Sequence, residues 1–164
     1  MDGASAEADV LQIIQEQKSA RTIKKVILAG GSMGGTSVLI FTALHPEMVD
    51  GVVSMNGTAN MIEYAGFQEA IAASYGGRKT EKPNEYLRRS PELVPNQFKT
   101  VPVAFTAGRQ DRIVPPDSVL RLSKILEKQD SKKVLMIYRE GGGHSTSYDD
   151  AVAALEFVIQ QVLR

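Results

Sequence analysis

The apolar residues of the chain follow two patterns that alternate along its length. Short, continuous apolar runs predict strands at residues 25–29, 51–55, 101–107 and 133–138. Apolar residues that recur every three or four positions predict helices at residues 8–18, 36–44, 117–128 and about 149–163. Continuous apolar strands are typical of parallel sheets covered on both faces. The alternation therefore predicts an α/β fold: a short parallel sheet of about four strands in chain order, flanked by helices.

Residues 58–98 form the longest stretch without strand periodicity. Five of the ten Phe and Tyr residues of the chain fall within it, namely Tyr64, Phe67, Tyr75, Tyr86 and Phe98. A connection of this length without strands is usually functional. We therefore expect residues 1–164 to form one domain in which residues 58–98 are a lid-like insertion, with an apolar acyl or aryl group among its candidate ligands.

The first apolar run leads directly into the glycine-rich stretch GGSMGG, residues 30–35. A dinucleotide-binding loop requires glycine at the first, third and sixth positions, and counting from Gly30 the third position is Ser32. A tight turn in which Ser32 only caps the next helix remains an open interpretation. The third interpretation is a nucleophile elbow, a sharp strand-to-helix turn that exposes a serine hydroxyl.

The elbow interpretation assigns a role to each residue of the turn. Gly30, Gly31 and Gly34 flank the serine, and we expect any side chain at position 30 or 34 to collide across the turn. The backbone N–H of Met33 would face the space in which an oxyanion forms, and the following helix would direct its positive end to the same place.

A serine hydroxyl becomes a good nucleophile only when a base accepts its proton and an acid orients that base. Asp111 lies in GRQDRIVPP after the third predicted strand, and His144 lies in REGGGHST after the fourth. Loops at the carboxyl ends of parallel strands share one edge of the sheet, so both can reach Ser32. Taken alone, Asp111 also reads as a turn residue and His144 as a surface histidine. The rival acids are Asp117, Glu140, Asp149 and Asp150.

These segments together resemble the C-terminal portion of an α/β-hydrolase fold protein of the esterase and prolyl-oligopeptidase-like branch. The matching pieces are VILAGGSMGG, HPEMVDGVVSMNG, RRSPE, PVAFTAGRQDRIVPP and GGGHS, and the resemblance covers essentially residues 9–164. It implies that Ser32 is the nucleophile, His144 the base and Asp111 the orienting acid, with the Met33 N–H as an oxyanion donor. The expected substrate pocket comprises Asn56, Tyr64, Phe67, Tyr75 and Ile113.

The full sheet of the family has further strands before the elbow strand, so we expect a truncated version of the fold. Family strands that precede the elbow, and the loop that carries a second oxyanion donor, have no counterpart in residues 1–24. The outer edge of strand 25–29 would then be bare, with unpaired backbone groups on an apolar strand. We expect a homodimer that covers this edge.

Composition narrows the functional classes. The 19 basic and 19 acidic residues cancel, which disfavours nucleic acid and anionic membrane as partners. With no cysteine and two histidines, we expect neither a metal nor another cofactor. We find no signal-peptide pattern and no apolar run near the roughly 20 residues of a membrane span, so we expect a cytoplasmic protein.

The sequence therefore favours a serine hydrolase that cleaves a small-molecule carboxylic ester, with an amide as second choice, through an acyl-enzyme. The alternative is a catalytically impaired, truncated hydrolase domain that acts as a binding or interaction module.

Overall fold

The computed structural model describes residues 3–164, with side chains from residue 6 onward. Its strands are β1 (Ile27–Gly31), β2 (Gly51–Met55), β3 (Val103–Gly108) and β4 (Val134–Arg139). Its α-helices are α1 (Gly3–Ala20), α2 (Met33–Leu44), α3 (Gln68–Tyr75), α4 (Pro83–Arg88), α5 (Asp117–Asp130) and α6 (Tyr148–Val162). Short 3-10 helices lie at Pro46–Met48, Pro91–Leu93, Pro95–Phe98 and Ser131–Lys133.

The four strands form one sheet in the order β1-β2-β3-β4, and all three pairings are parallel. The predicted α/β fold with its strands in chain order is therefore confirmed. Parallel pairing places the carboxyl ends of all four strands at one edge of the sheet, where the residues that follow each strand can meet.

The alternation of side chains along the strands builds a core on each face of the sheet. Val52, Val103 and Phe105 pack into the larger core with apolar residues of α1, α2 and α5. Val53 and Ala104 point to the opposite face, where they pack against Ala154 and Val158 of α6. This double coverage explains why the strands read as continuous apolar runs.

Strand β1 begins two residues later than the sequence predicts. The Asp50 carboxylate accepts hydrogen bonds from the Val26 N–H and the Lys25 ammonium, each at 2.9 Å, so regular pairing with β2 starts only at Ile27. The strand also extends through Gly31, because its pairing with Met55 continues to that residue.

Residues 58–98 are more regular than the sequence indicates, because they contain α3, α4 and two of the 3-10 helices. Both ends of the segment belong to the sheet core, since Ala59 and Phe98 are buried there. Tyr75 and Tyr86 pack edge to face between these ends, with ring centroids 4.9 Å apart. Across residues 3–164, none of the helices combines the length and the hydropathy that a bilayer crossing requires.

Candidate active site

The turn between β1 and α2 holds Ser32 in a strained backbone conformation, with φ 56° and ψ −118°. Few non-glycine residues adopt a positive φ, and those that do are often found at functional sites. The Ser32 N–H donates to the carbonyl of Met55 at 2.7 Å. Ser32 is the residue that precedes α2, but its side chain makes no capping hydrogen bond to that helix. The interpretation of Ser32 as a simple helix cap therefore fails.

Two glycines make this turn sterically possible, but they are not the pair expected from the sequence. A Cβ at Gly30 would lie 2.4 Å from the carbonyl carbon of Gly34, and a Cβ at Gly35 would lie 2.7 Å from the Met55 oxygen. At Gly31 and Gly34, by contrast, an added Cβ meets nothing within 4 Å. The expectation of a collision at position 34 is therefore wrong. Successive residues of a helix point about 100° apart, so position 35 faces the sheet while position 34 points into open space.

The structure brings Ser32, His144 and Asp111 together from three different strand ends. The Ser32 Oγ lies 2.7 Å from His144 Nε2, and His144 Nδ1 lies 2.7 Å from Asp111 Oδ2. A carboxylate can only accept at Nδ1, so Nδ1 carries the proton and Nε2 is left to accept from the serine hydroxyl. This is the tautomer that a histidine needs in order to remove the serine proton.

The Asp111 side chain is held from both of its oxygens. Oδ1 accepts hydrogen bonds from the backbone N–H groups of Ile113 and Val114, both at 2.9 Å, while Oδ2 faces His144. The side chain is 1% exposed, against 19% for that of His144. Two backbone bonds and burial fix the direction in which the carboxylate points.

Two of the rival acids are paired elsewhere. Glu140 binds Arg109 at 2.6 Å, and Asp150 binds Arg139 at 2.5 Å. The acid that contacts His144 is Asp111.

Met33 is the first residue of α2, so its backbone N–H lies in the first turn of a helix whose dipole favours negative charge. The residue is 81% exposed. The position therefore suits the stabilisation of an oxyanion that forms next to the serine.

A cavity of about 580 Å³ opens at Ser32 and extends between α1, α2 and residues 58–75. Tyr64, Phe67 and Tyr75, three of the five residues expected in the pocket, line it. Apolar side chains that the sequence analysis did not single out supply most of the remaining wall, including Val10, Ile40, Phe41, Leu44, Met61, Ile71 and Val114.

Two residues expected in the pocket lie outside its lining. Ile113 is 50% exposed, and its carbonyl accepts from the Tyr64 hydroxyl at 3.1 Å. Asn56 is buried, and its side chain is hydrogen-bonded to Gly143 and Thr146 in the loop that carries His144. Its position directly after β2 places it at the correct edge of the sheet, but its polar atoms face the histidine loop.

Polar groups meet at the cavity wall formed by α1. The Glu7 carboxylate accepts a hydrogen bond from the His45 ring at 2.8 Å and lies 3.5 Å from the Arg89 guanidinium. Arg89 also pairs with Glu85 and stacks over the Tyr75 ring, 4.7 Å from its centroid. Burial raises the pKa of Tyr75 to about 12, against a smaller opposing effect of Arg89. Tyr75 therefore stays neutral and acts as a wall residue.

Tyr64 lines the cavity, and its hydroxyl donates to the carbonyl of Ile113, two residues after Asp111. Its pKa is raised, first by burial and then by the negative charge of Asp111.

Among the side chains described, no group of three or more His, Asp or Glu residues is arranged to hold a metal ion.

The chain matches the model of the prolyl oligopeptidase family over residues 5–161. It belongs to the prolyl oligopeptidase family. A comparison with curated protein sequences finds no match. The matched residues span the whole sheet, the Ser32 turn and the loops of Asp111 and His144, and they confirm the resemblance noted in the sequence.

Solved structures with the same fold include other α/β-hydrolases. A puromycin-hydrolysing peptidase of Mycobacterium tuberculosis is 23% identical, with a TM-score of 0.74, over 95% of this chain and 25% of its own. An acylaminoacyl peptidase is 16% identical, with a TM-score of 0.68, over 96% of this chain and 26% of its own. A monoacylglycerol lipase of Paleococcus ferrophilus is 19% identical, with a TM-score of 0.64, over 99% of this chain and 76% of its own. The chain thus spans about a quarter of the length of the two peptidases, and identities this low show the fold alone.

Proposed function

We propose that this member of the prolyl oligopeptidase family is a serine hydrolase that cleaves a carboxylic ester through an acyl-enzyme. The observation that carries the proposal is the hydrogen-bonded chain from Ser32 through His144 to Asp111. The turn between β1 and α2 holds Ser32 in a strained backbone conformation. Each group has the partner that the reaction needs, in the tautomer that the reaction needs.

In the proposed reaction, the Ser32 Oγ attacks the acyl carbon while its proton passes to His144 Nε2. The negative charge that develops on the carbonyl oxygen is stabilised by the Met33 N–H and by the N-terminal end of α2. The leaving alcohol then takes the proton from Nε2, which leaves an ester bond between the acyl group and Ser32. A water molecule attacks this ester, His144 again accepts and returns the proton, and the carboxylic acid is released.

An amide is the second candidate substrate. Two of the similar structures carry peptidase names, which favours peptide or amide cleavage, whereas the lipase favours an ester. Amide cleavage demands more of the oxyanion site, because an amine is a poorer leaving group than an alcohol. An ester and an anilide that share one acyl group therefore separate the two, because kcat/KM on each measures the same pocket with different leaving groups.

The size and lining of the cavity favour a substrate with an apolar acyl or aryl group. Its volume lies in the range typical of small-molecule sites, and its wall is mostly aliphatic and aromatic. We propose residues 58–98 as the lid of this cavity. In a series of p-nitrophenyl esters from acetate to octanoate, we expect kcat/KM to rise by up to about fourfold per added methylene, since each buried methylene contributes about 0.8 kcal/mol.

The deciding experiment is the reaction of the protein with a serine-directed fluorophosphonate, combined with turnover of a short p-nitrophenyl ester. We expect labelling at Ser32, and we expect Ser32→Ala to lower kcat by roughly 10⁶-fold. Ser19→Ala, a substitution of an exposed serine in α1, is the matched control and keeps full activity.

Other outcomes of this experiment would reject the proposal. Undiminished turnover in Ser32→Ala would exclude the mechanism, and loss of all activity in EDTA would indicate a metal instead. A protein that neither labels nor turns over ester, but still binds apolar acids in the cavity, would support the alternative of a non-catalytic binding module.

A further inference from the structure

A chain of partly buried hydrogen bonds connects the loop that carries His144 to the two central strands. Asn56, directly after β2, bonds through its side chain to the Gly143 carbonyl at 3.3 Å and to the Thr146 hydroxyl. Thr146 in turn contacts the hydroxyl of Thr106 in β3 at 2.6 Å. Gly143 and Thr146 lie on either side of His144, so a single Asn56 side chain holds the loop both before and after the histidine.

The direction of each bond follows from the groups that can donate. The Asn56 amide NH₂ donates to the Gly143 carbonyl, and its oxygen must then accept from the Thr146 hydroxyl. The single proton of Thr146 is thereby used, so Thr106 donates to the Thr146 oxygen. The three hydrogen bonds therefore have one consistent set of directions.

The backbone at Asn56 is adapted to this position. Its φ of 49° lies in the left-handed region, which asparagine tolerates better than most other residues. The Asn56 N–H donates to the Thr106 carbonyl at 2.9 Å, which fixes the backbone to β3. The residue is 6% exposed, so its amide has little access to water and depends on the loop for its hydrogen bonds.

The need for such a tie follows from the order of the strands. Ser32 follows β1 and His144 follows β4, which are opposite edges of the sheet. Three strand spacings separate them, roughly 14 Å at about 4.8 Å each. The histidine loop must therefore reach back over the ends of β3 and β2, where Thr106 and Asn56 lie.

We propose that Asn56 is a positioning residue for the catalytic histidine, and that it acts through Gly143 and Thr146. This inference rests on the proposed function of Ser32 and His144. Asn56 contacts neither the serine nor the acid, so its removal changes the placement of the imidazole while the cavity wall stays intact.

A small displacement of the base lowers the rate of the chemical step more than it lowers the affinity for substrate. The reason is that proton transfer requires close alignment of the reacting atoms. Asn56→Gly removes the side chain and keeps a backbone suited to the left-handed conformation. We expect it to lower kcat by about 10- to 100-fold with KM nearly unchanged.

A second pair of variants approaches the network from the loop. Thr146→Val keeps the shape of the side chain and removes the hydroxyl, and we expect a loss of kcat in the same range, again with KM nearly unchanged. Thr146→Ser restores the hydroxyl and should recover kcat to within about threefold of the wild-type value. Thermal unfolding of each variant reports whether the fold is retained.

The measurements separate the possible failures. If kcat stays at the wild-type value in Asn56→Gly and Thr146→Val, the positioning role is wrong. If only the unfolding temperature falls in these variants, the network is structural and the role is again wrong. If the wild-type protein shows no Ser32-dependent turnover, the proposed function itself fails, and the positioning role fails with it.

Discussion

The turn that carries Ser32 and the loop that carries His144 each fix the position of one side chain, but they do so by different interactions. The Ser32 turn is fixed mainly by residues next to it in the chain: Gly30 and Gly35 allow close backbone approaches, and α2 begins at the residue after Ser32. The adjacent strand supports the turn from outside, where Met55 accepts from the Ser32 N–H. The His144 loop is fixed from outside, by Asp111, by Asn56 and by the passage of Gly142 over Gly108, where an added Cβ would lie 2.4 Å from the Gly142 oxygen.

The difference reflects how many residues separate each side chain from the end of its strand. Ser32 is one residue beyond β1, so local geometry determines where its hydroxyl points. His144 is five residues beyond the end of β4 at Arg139, and its loop must cross two neighbouring strands. A residue close to a strand end can be positioned locally, whereas a distant one needs partners from other parts of the chain.

The largest expected effect comes from a substitution of Asp111, the acid that contacts His144. Asp111→Asn keeps an acceptor for the Ile113 and Val114 N–H groups but can direct an NH₂ at His144 Nδ1. The imidazole would then carry its proton on Nε2 and could not accept from Ser32. We expect kcat to fall by about 10⁴-fold with little change in KM, measured on a p-nitrophenyl ester. A loss no greater than that of a surface substitution such as Asp149→Asn would mean that another acid serves His144.

The second prediction concerns the Ser32 turn and uses a matched pair of glycine substitutions. Gly30→Ala places a methyl group 2.4 Å from the Gly34 carbonyl carbon, whereas Gly34→Ala meets nothing within 4 Å. We expect Gly30→Ala to lower kcat by at least about 100-fold and to destabilise the fold by about 1–3 kcal/mol. Gly34→Ala should retain the fold and labelling of Ser32 by a fluorophosphonate. Equal losses in both variants, by denaturant unfolding and turnover, would contradict the steric account of the turn.

A third prediction concerns the free edge of β1, the strand that supports the Ser32 turn. In residues 3–164, β1 pairs with β2 on one side and with no strand on the other. We propose that a second copy of the chain covers this edge, since an uncovered apolar edge invites uncontrolled association. Light scattering should give a dimer, and Ala29→Arg, at an exposed position of β1, should shift it to monomer while Ala29→Thr does not. A monodisperse monomer of the wild-type protein at micromolar concentration would contradict this proposal.

The smallest effect concerns the ion pair at the base of the His144 loop. Arg139 ends β4 and Asp150 lies in the first turn of α6, so their contact ties the two ends of the loop together. The hydrogen bond from Arg139 lowers the pKa of Asp150. The pair therefore stabilises the fold above the carboxyl's unfolded pKa of about 3.9, and this contribution is lost as the pH falls through the lowered folded value.

We expect Asp150→Asn to lower the unfolding temperature slightly at pH 7, because the Arg139 side chain is 63% exposed and solvent screens the pair. The difference from wild type should disappear at pH values well below 4. Asp149→Asn, a substitution of the neighbouring exposed carboxylate, serves as the control. A difference that persists unchanged in strong acid would show that Asp150 acts through packing and not through its charge.

Much of the architecture could be predicted from the sequence because its cause is local. Continuous apolar runs specify strands buried on both faces, and the helices between them impose parallel pairing. The glycine-serine turn could also be predicted, because the residues that permit it are adjacent in the chain. The error at Gly34 arose from the helix that begins at Met33, since its rotation exchanges the inward and outward roles of positions 34 and 35.

The sequence by itself determined which chemical groups the protein has at the ends of its strands and in what order: Ser32, Asp111 and His144. Only the tertiary structure decided how those groups meet, which walls enclose the cavity, and that Asn56 faces the histidine loop instead of the cavity. The physical reason is the range of the interactions. Strand and turn formation depend on near neighbours, whereas the hydrogen bonds from Asn56 to Gly143 and from Asp111 to His144 join residues 87 and 33 positions apart, and no local pattern encodes them.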